Sequence, residues 1–196
     1  MTKSEYSTSE FKLLVTGDLS TNEFIVPGPK KLTLADFIIG ELGHYKEARK
    51  YSKWEHEFIV AKMYHPNDSG IAGVLVTDRE QRPGTPDIVR VIPGDNLHFI
   101  WTILSRVGYR PSNLGRSCAF ASPPSVGQIA SVLAEKSQAG GEYSVHNHNC
   151  YWYAKAVFDH CSDTYGGNIT HGPYCNDLGT FMNDTPEAFL VWFSKS

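Results

Sequence analysis

The chain has no uninterrupted apolar run of about 18 residues, so no membrane-spanning helix is expected. Met1 to Glu10 is polar and lacks the apolar centre of a signal peptide, which points to an intracellular, cytoplasmic protein. The glycosylation-type triplets at Asn67, Asn168 and Asn183 then carry little meaning. Cysteine is sparse. Cys118, Cys150, Cys161 and Cys175 are irregularly spaced and include no C-x-x-C pair, so a secreted disulfide scaffold is not expected and free thiols are. There is no excess of basic charge: 18 Lys and Arg against 21 Asp and Glu leave a net charge of −3, with no electrostatic reason to expect nucleic acid. No P-loop or dinucleotide-type glycine loop occurs, so no organic cofactor is implied. Internal repeats and low-complexity tracts are also absent.

What remains is the composition of an ordinary globular protein, 196 residues long and 41% hydrophobic, enough for one domain with a real core. Residues 1–30, polar and then Gly/Pro-rich, read as a mobile arm or a loosely attached strand, and 31–196 as a single α+β domain. Thr33 or Asp36 is placed to cap a helix through Leu42, with apolar residues at 34, 37, 38 and 42, followed by a charged surface stretch over Tyr45–Tyr51. His56–Tyr64 and Ile71–Thr77 read as an antiparallel hairpin across the turn-rich His65–Gly70, and Asp87–Ile92 as a third strand. Residues 95–122 carry no decisive pattern. Helices are expected over 125–138, ending at Gly140-Gly141, and over 150–161. Residues 162–184 read as loop, and Thr185-Pro186 opens a short terminal helix.

The most informative point is Cys150, where a polar run containing His146, Asn147, His148 and Asn149 gives way to an apolar helical pattern. A cysteine at a helix N-terminus meets free N–H groups and the positive end of the macrodipole, which favour the thiolate. Of the eight histidines, His56 opens a strand of the central sheet, where a fixed ring and a defined tautomer suit a general base. With the hairpin turn centred near Asp68, residues 78–80 fall beside His56, and Asp78 is the candidate to orient the imidazole. Arg79, Arg82 and Arg90 form a loose basic group on the same side, suited to a substrate anion or simply solvated.

His56-Glu57-Phe58 on a strand, followed later by Asn149-Cys150-Tyr151-Trp152 at a helix start, resembles the circularly permuted papain-like thiol enzymes. These include the lecithin:retinol acyltransferase-like, NlpC-like and PPPDE-like groups. The two blocks are also similar to those of fungal proteins of the same type. The resemblance implies an antiparallel sheet packed on a central helix that begins at the nucleophile. It also implies a cysteine-dependent hydrolase or acyl/peptidyl transferase working through a thioester on Cys150, with a small-molecule, lipid or peptide acyl substrate. The backbone N–H of Cys150, with Asn149 or Asn147, would hold the oxyanion, and Tyr151 and Trp152 would line an acyl pocket or pack the core. Two other readings compete. One is a zinc site built from His146, His148 and cysteines, with His171 as a further donor. The other is a protein in which Cys150 does no chemistry: a papain-like binding protein without turnover, or simply a core role for Cys150 with His56 a hydrogen-bonded strand residue.

Overall fold

The computed structural model describes residues 4–16, 23–24, 32–47, 56–66, 70–79, 84–94, 104, 112–144, 147–175 and 178. The strands are β1 (Ser4–Ser7), β2 (Glu23–Phe24), β3 (Leu32–Thr33), β4 (Ile38–Glu47), β5 (Glu57–Tyr64), β6 (Ile71–Asp78), β7 (Ile88–Pro93), β8 (Ser112–Phe120) and β9 (Gly167–His171). The helices are α1 (Thr8–Thr16), α2 (Val126–Gly140) and α3 (Cys150–Tyr165). Seven strands form one sheet in the order β1-β7-β6-β5-β4-β8-β9, and every neighbouring pair is antiparallel. β2 and β3 make a separate two-stranded ribbon. The protein is α+β.

One cluster of buried side chains joins the three helices to Ile39, Leu42, Ile59, Ala61, Met63, Leu75, Val89 and Val91 of the sheet. Alternation along the strands sends Tyr45, Phe58, Val60, Val74 and Val76 into a second cluster with Leu104. Two buried faces explain why Phe58 to Ala61 and Val74 to Val76 run apolar without a break. Each fully buried side chain of this size contributes about 1.5–3 kcal/mol relative to exposure.

The expected helix over 34–42 is not formed. Thr33 and Asp36 do make a cap, with the Asp36 carboxylate accepting from Thr33 N at 2.6 Å and Oγ1 at 3.0 Å, but it closes one 3-10 turn, Leu34–Asp36. β4 follows. Its register with β5 shifts between Ile39 and Glu41, so Gly40 is an inserted bulge residue. The bulge brings Ile39 and Leu42, three apart, onto the same core face, which imitates the spacing of a helix. The expected surface stretch is also buried where described: Tyr45, Lys46 and Glu47 lie in β4 with 5–7% exposure.

The hairpin stands as expected. Ile59 faces Thr77 and Val60 faces Val76, a register centred on residue 68. Residues 4–16, read as part of an arm or loose strand, contain β1, paired to β7, and α1, whose Phe11, Leu14 and Val15 are buried. Ser7 and Glu10 cap α1 reciprocally: Ser7 N donates to the Glu10 carboxylate at 2.8 Å and Glu10 N to Ser7 Oγ at 3.2 Å. α2 has the same device in Ser125 and Gln128, and ends at Gly141 with φ of 55°. The stretch 162–184, expected as loop, instead carries the last turn of α3 and then β9. Strand β8 fills part of the unassigned 95–122, and the terminal helix expected from Thr185 lies outside the described residues.

Candidate active site

Asn149 has extended backbone, and its side-chain oxygen accepts from Trp152 N at 3.0 Å, so it is the N-cap of α3 and Cys150 is the first helical residue. That cap fixes where the helix begins, and therefore where the sulfur sits relative to the amide dipoles. Asn149, expected as an oxyanion donor, thus commits its side-chain oxygen to the helix. Asn147 is exposed on the loop before it.

Cys150 is fully buried. The imidazole of His56, 12% exposed, hydrogen-bonds the Cys150 side chain and lies 3.2 Å through Nε2 from Asp78 Oδ2. The three residues expected from the sequence, Cys150, His56 and Asp78, therefore come together. Burial, the largest single influence on His56, favours the neutral ring. Hydrogen bonds and charge attraction from Asp78 and Cys150 together outweigh it and hold the pKa well above the usual 6.5. The ring stacks on Phe58, centroids 6.1 Å apart, and the His56 carbonyl accepts from Glu47 N at 2.8 Å.

Asp78 has a second partner that sequence reasoning missed. Arg90 Nη1 donates to the same Oδ2 at 3.2 Å, while Arg90 Nε donates to Glu5 of β1 at 2.8 Å. Arg79 is likewise no solvated strand-end cation. It is 2% exposed and forks onto both carboxylate oxygens of Asp87 at 2.7 Å. Its remaining donors reach the carbonyls of Ser137 and His148 at 3.2 Å, tying the end of α2 to the loop before Cys150. A Cβ at Gly140 would collide with this guanidinium and with the Trp152 ring. Arg82 lies outside the described residues.

The aromatic residues after Cys150 pack inward. Tyr153 is fully buried with its hydroxyl 3.0 Å from Thr77 Oγ1. Tyr151 is 7% exposed and lies under the Lys46 ammonium at 5.8 Å. Trp152 packs edge-on against His148 at 4.7 Å, with the Arg79 guanidinium 5.4 Å from its ring. Tyr143, which no sequence motif singles out, lies near enough to Cys150 to feel its charge. Burial first, and then that charge, raise its hydroxyl pKa.

The candidate zinc donors are dispersed. Cys161 is buried in α3, and His148 packs on Trp152. Cys175 pairs with His171, Nδ1 to Sγ 2.9 Å. Among the described residues no group of three or more His, Cys, Asp or Glu is placed to hold a metal ion, and His146 lies outside them. All four cysteines are free thiols.

A second histidine site was not anticipated. His44, between the expected helix and the expected surface stretch, is 1% exposed in β4, with Nε2 2.8 Å from Glu57 Oε2. Its Nδ1 accepts from Arg116 Nε at 3.2 Å, and Arg116 also pairs with Asp159 at 2.8 Å. Desolvation dominates at this ring. It lowers the His44 pKa, with Glu57 opposing only in part.

Among the described residues no helix is long and apolar enough to cross a membrane. Comparison with protein-family models, curated proteins and solved structures found no match for this chain.

Proposed function

We propose that this protein is a cysteine-dependent hydrolase or acyl/peptidyl transferase that forms a thioester on Cys150, with His56 as general base and Asp78 orienting the ring. One observation carries the reading: a cysteine at the first position of a helix hydrogen-bonds a histidine that immediately precedes β5 and whose other side is held by a buried carboxylate. With Nε2 turned to Asp78, Nδ1 is the nitrogen that receives the thiol proton. Sγ then attacks an acyl carbon, and the N–H groups of the first turn of α3, Cys150 N among them, stabilise the tetrahedral oxyanion. The imidazolium returns the proton to the leaving group, and water or an acceptor resolves the thioester with His56 again as base. A sheet packed on a helix that opens with the nucleophile accords with a circularly permuted papain-like arrangement, which we include in the proposal.

The test is the pH dependence of Cys150 alkylation by iodoacetamide, followed by peptide mass spectrometry in wild type and His56→Ala. Labelling is expected to persist well below the ordinary thiol pKa of about 8.5 in the wild type, and to lose that persistence without His56. Slow labelling indifferent to His56 would overturn the proposal. The complete burial of Cys150 favours one second reading, an inert core thiol in a non-catalytic binding protein. That reading predicts the slow, indifferent outcome.

A further inference from the structure

The carboxylate oxygen that orients His56 is shared. Asp78 Oδ2 lies 3.2 Å from His56 Nε2 and 3.2 Å from Arg90 Nη1, so an imidazolium and a guanidinium compete for one acceptor. Both cations are largely out of water, at 12% and 9% exposure, and Asp78 is at 4%. In such a setting a fixed charge is weakly screened. Arg90 is itself held from behind. Its Nε donates to Glu5 at 2.8 Å, and Glu5 stands directly across from Arg90 in the β1–β7 register. Through these contacts the N-terminal strand reaches the candidate site.

We infer that Arg90, braced by Glu5, is a positioning residue that sets the basicity of His56 through the shared oxygen of Asp78. The sign follows from the charges. Arg90 is a like charge beside the imidazolium, so it restrains proton uptake that Asp78 and Cys150 would otherwise drive further. Glu5 offsets part of Arg90 and so acts in the opposite sense, weakly, because it is 41% exposed. Among the described residues Cys150, at the start of α3, also acts on His56, the Glu47 backbone N–H of β4 donates to the His56 carbonyl, and the Tyr153 hydroxyl meets Thr77 next to Asp78. None of these changes in the variants below. This role for Arg90 rests on the site proposed above but is tested on the imidazole alone. It can fail while Cys150 is reactive, and hold while Cys150 is inert.

The experiment uses the full chain labelled with ¹⁵N-histidine. Long-range ¹H–¹⁵N correlation spectra would be recorded from about pH 5 to about pH 11, a range that brackets ordinary and raised histidine values. His56→Gln assigns the His56 signals, and the buried neutral ring of His44 reports in the same spectra that the fold is kept. Arg90→Gln is expected to raise the His56 midpoint by about one pH unit. Arg90→Lys should restore most of the wild-type value, since it returns the charge. Glu5→Gln should lower the midpoint by a few tenths of a unit, a shift that about 1 M salt removes. An unmoved or lowered midpoint in Arg90→Gln with the His44 signals intact would overturn the inference. So would a rise in Glu5→Gln. If Arg90→Gln does not fold, Glu5→Gln together with Arg90→Lys decides the matter by the same signs.

Discussion

Two histidines of the central sheet have nearly the same inventory and opposite chemistry. His56 and His44 each sit on or beside a central strand, each meets a buried carboxylate through Nε2, and each has an arginine close by. Yet His56 is shifted toward the charged form and His44 toward the neutral one. The difference lies at the second ring nitrogen and in where the arginine acts. At His44, Arg116 donates directly to Nδ1, which has to be unprotonated to accept, and the ring is spent between two partners. At His56 the arginine acts one step removed, on Asp78, and the remaining side of the ring meets Cys150. A carboxylate beside a histidine therefore does not by itself make a base. What the other nitrogen faces decides whether the ring can move a proton.

The largest expected effect separates the two sites in reactivity. If Cys150 transfers acyl groups, His56→Ala should cut its rate by about 10²–10⁴-fold, the usual scale for removing a general base, whereas His44→Ala should leave the reactive thiolate in place. Iodoacetamide labelling at neutral pH on folded protein checks this, and equal losses in both variants would erase the distinction. Stability should rank the other way. His44→Ala opens a cavity at a 1% exposed position and breaks the contacts to Glu57 and Arg116, for a cost of about 2–3 kcal/mol in urea unfolding. His56→Ala leaves Asp78 its contact with Arg90 and should cost less than that.

The pH dependence of stability sharpens the contrast. His56 has a raised folded pKa, so its contribution is full below the ordinary value of 6.5 and is lost as pH rises through the raised one. His44 has a lowered folded pKa, so its contribution is full above 6.5 and is lost as pH falls through the lowered one. Urea unfolding across pH should therefore flatten on the alkaline side in His56→Gln and on the acid side in His44→Gln. Both variants flattening on the same side would contradict this assignment of charge states. The smallest effect concerns the helix that presents the sulfur. Asn149→Ala removes the N-cap bond to Trp152 and should cost about 1 kcal/mol, while Asn149→Ser, which keeps a capping oxygen, should cost a few tenths.

Much of the candidate site is legible along the chain because it rests on local rules. Apolar, β-rich runs on either side of a turn-rich segment place β5 and β6, and centring the turn near residue 68 puts Asp78 within reach of His56. A polar run ending in Asn149 before an apolar helical pattern places Cys150 at a helix start. β4 is illegible for an identifiable reason. The bulge at Gly40 puts Ile39 and Leu42 on one face at helical spacing, and the cap at Thr33 belongs to a single 3-10 turn. As long as β4 reads as helix and surface, His44 cannot be paired with Glu57. The S-x-x-E signature of α1, Ser7 to Glu10, is written in the sequence but hidden amid a polar N-terminus.

The sequence by itself determined the strands of the hairpin, the start of the helix at Cys150 and the identity of the three side chains that meet there. Periodicity, turns and caps act over a few residues and are written in their order. Only the tertiary structure decided which charge each buried group sees: Arg90 on Asp78, Glu5 on Arg90, Arg116 on His44, Arg79 across Asp87 and the loop before Cys150. Apart from the Arg79–Asp87 fork, those contacts join residues 12 to 85 positions apart in the chain. Their effect on proton affinity depends on desolvation, which arises only when the elements pack.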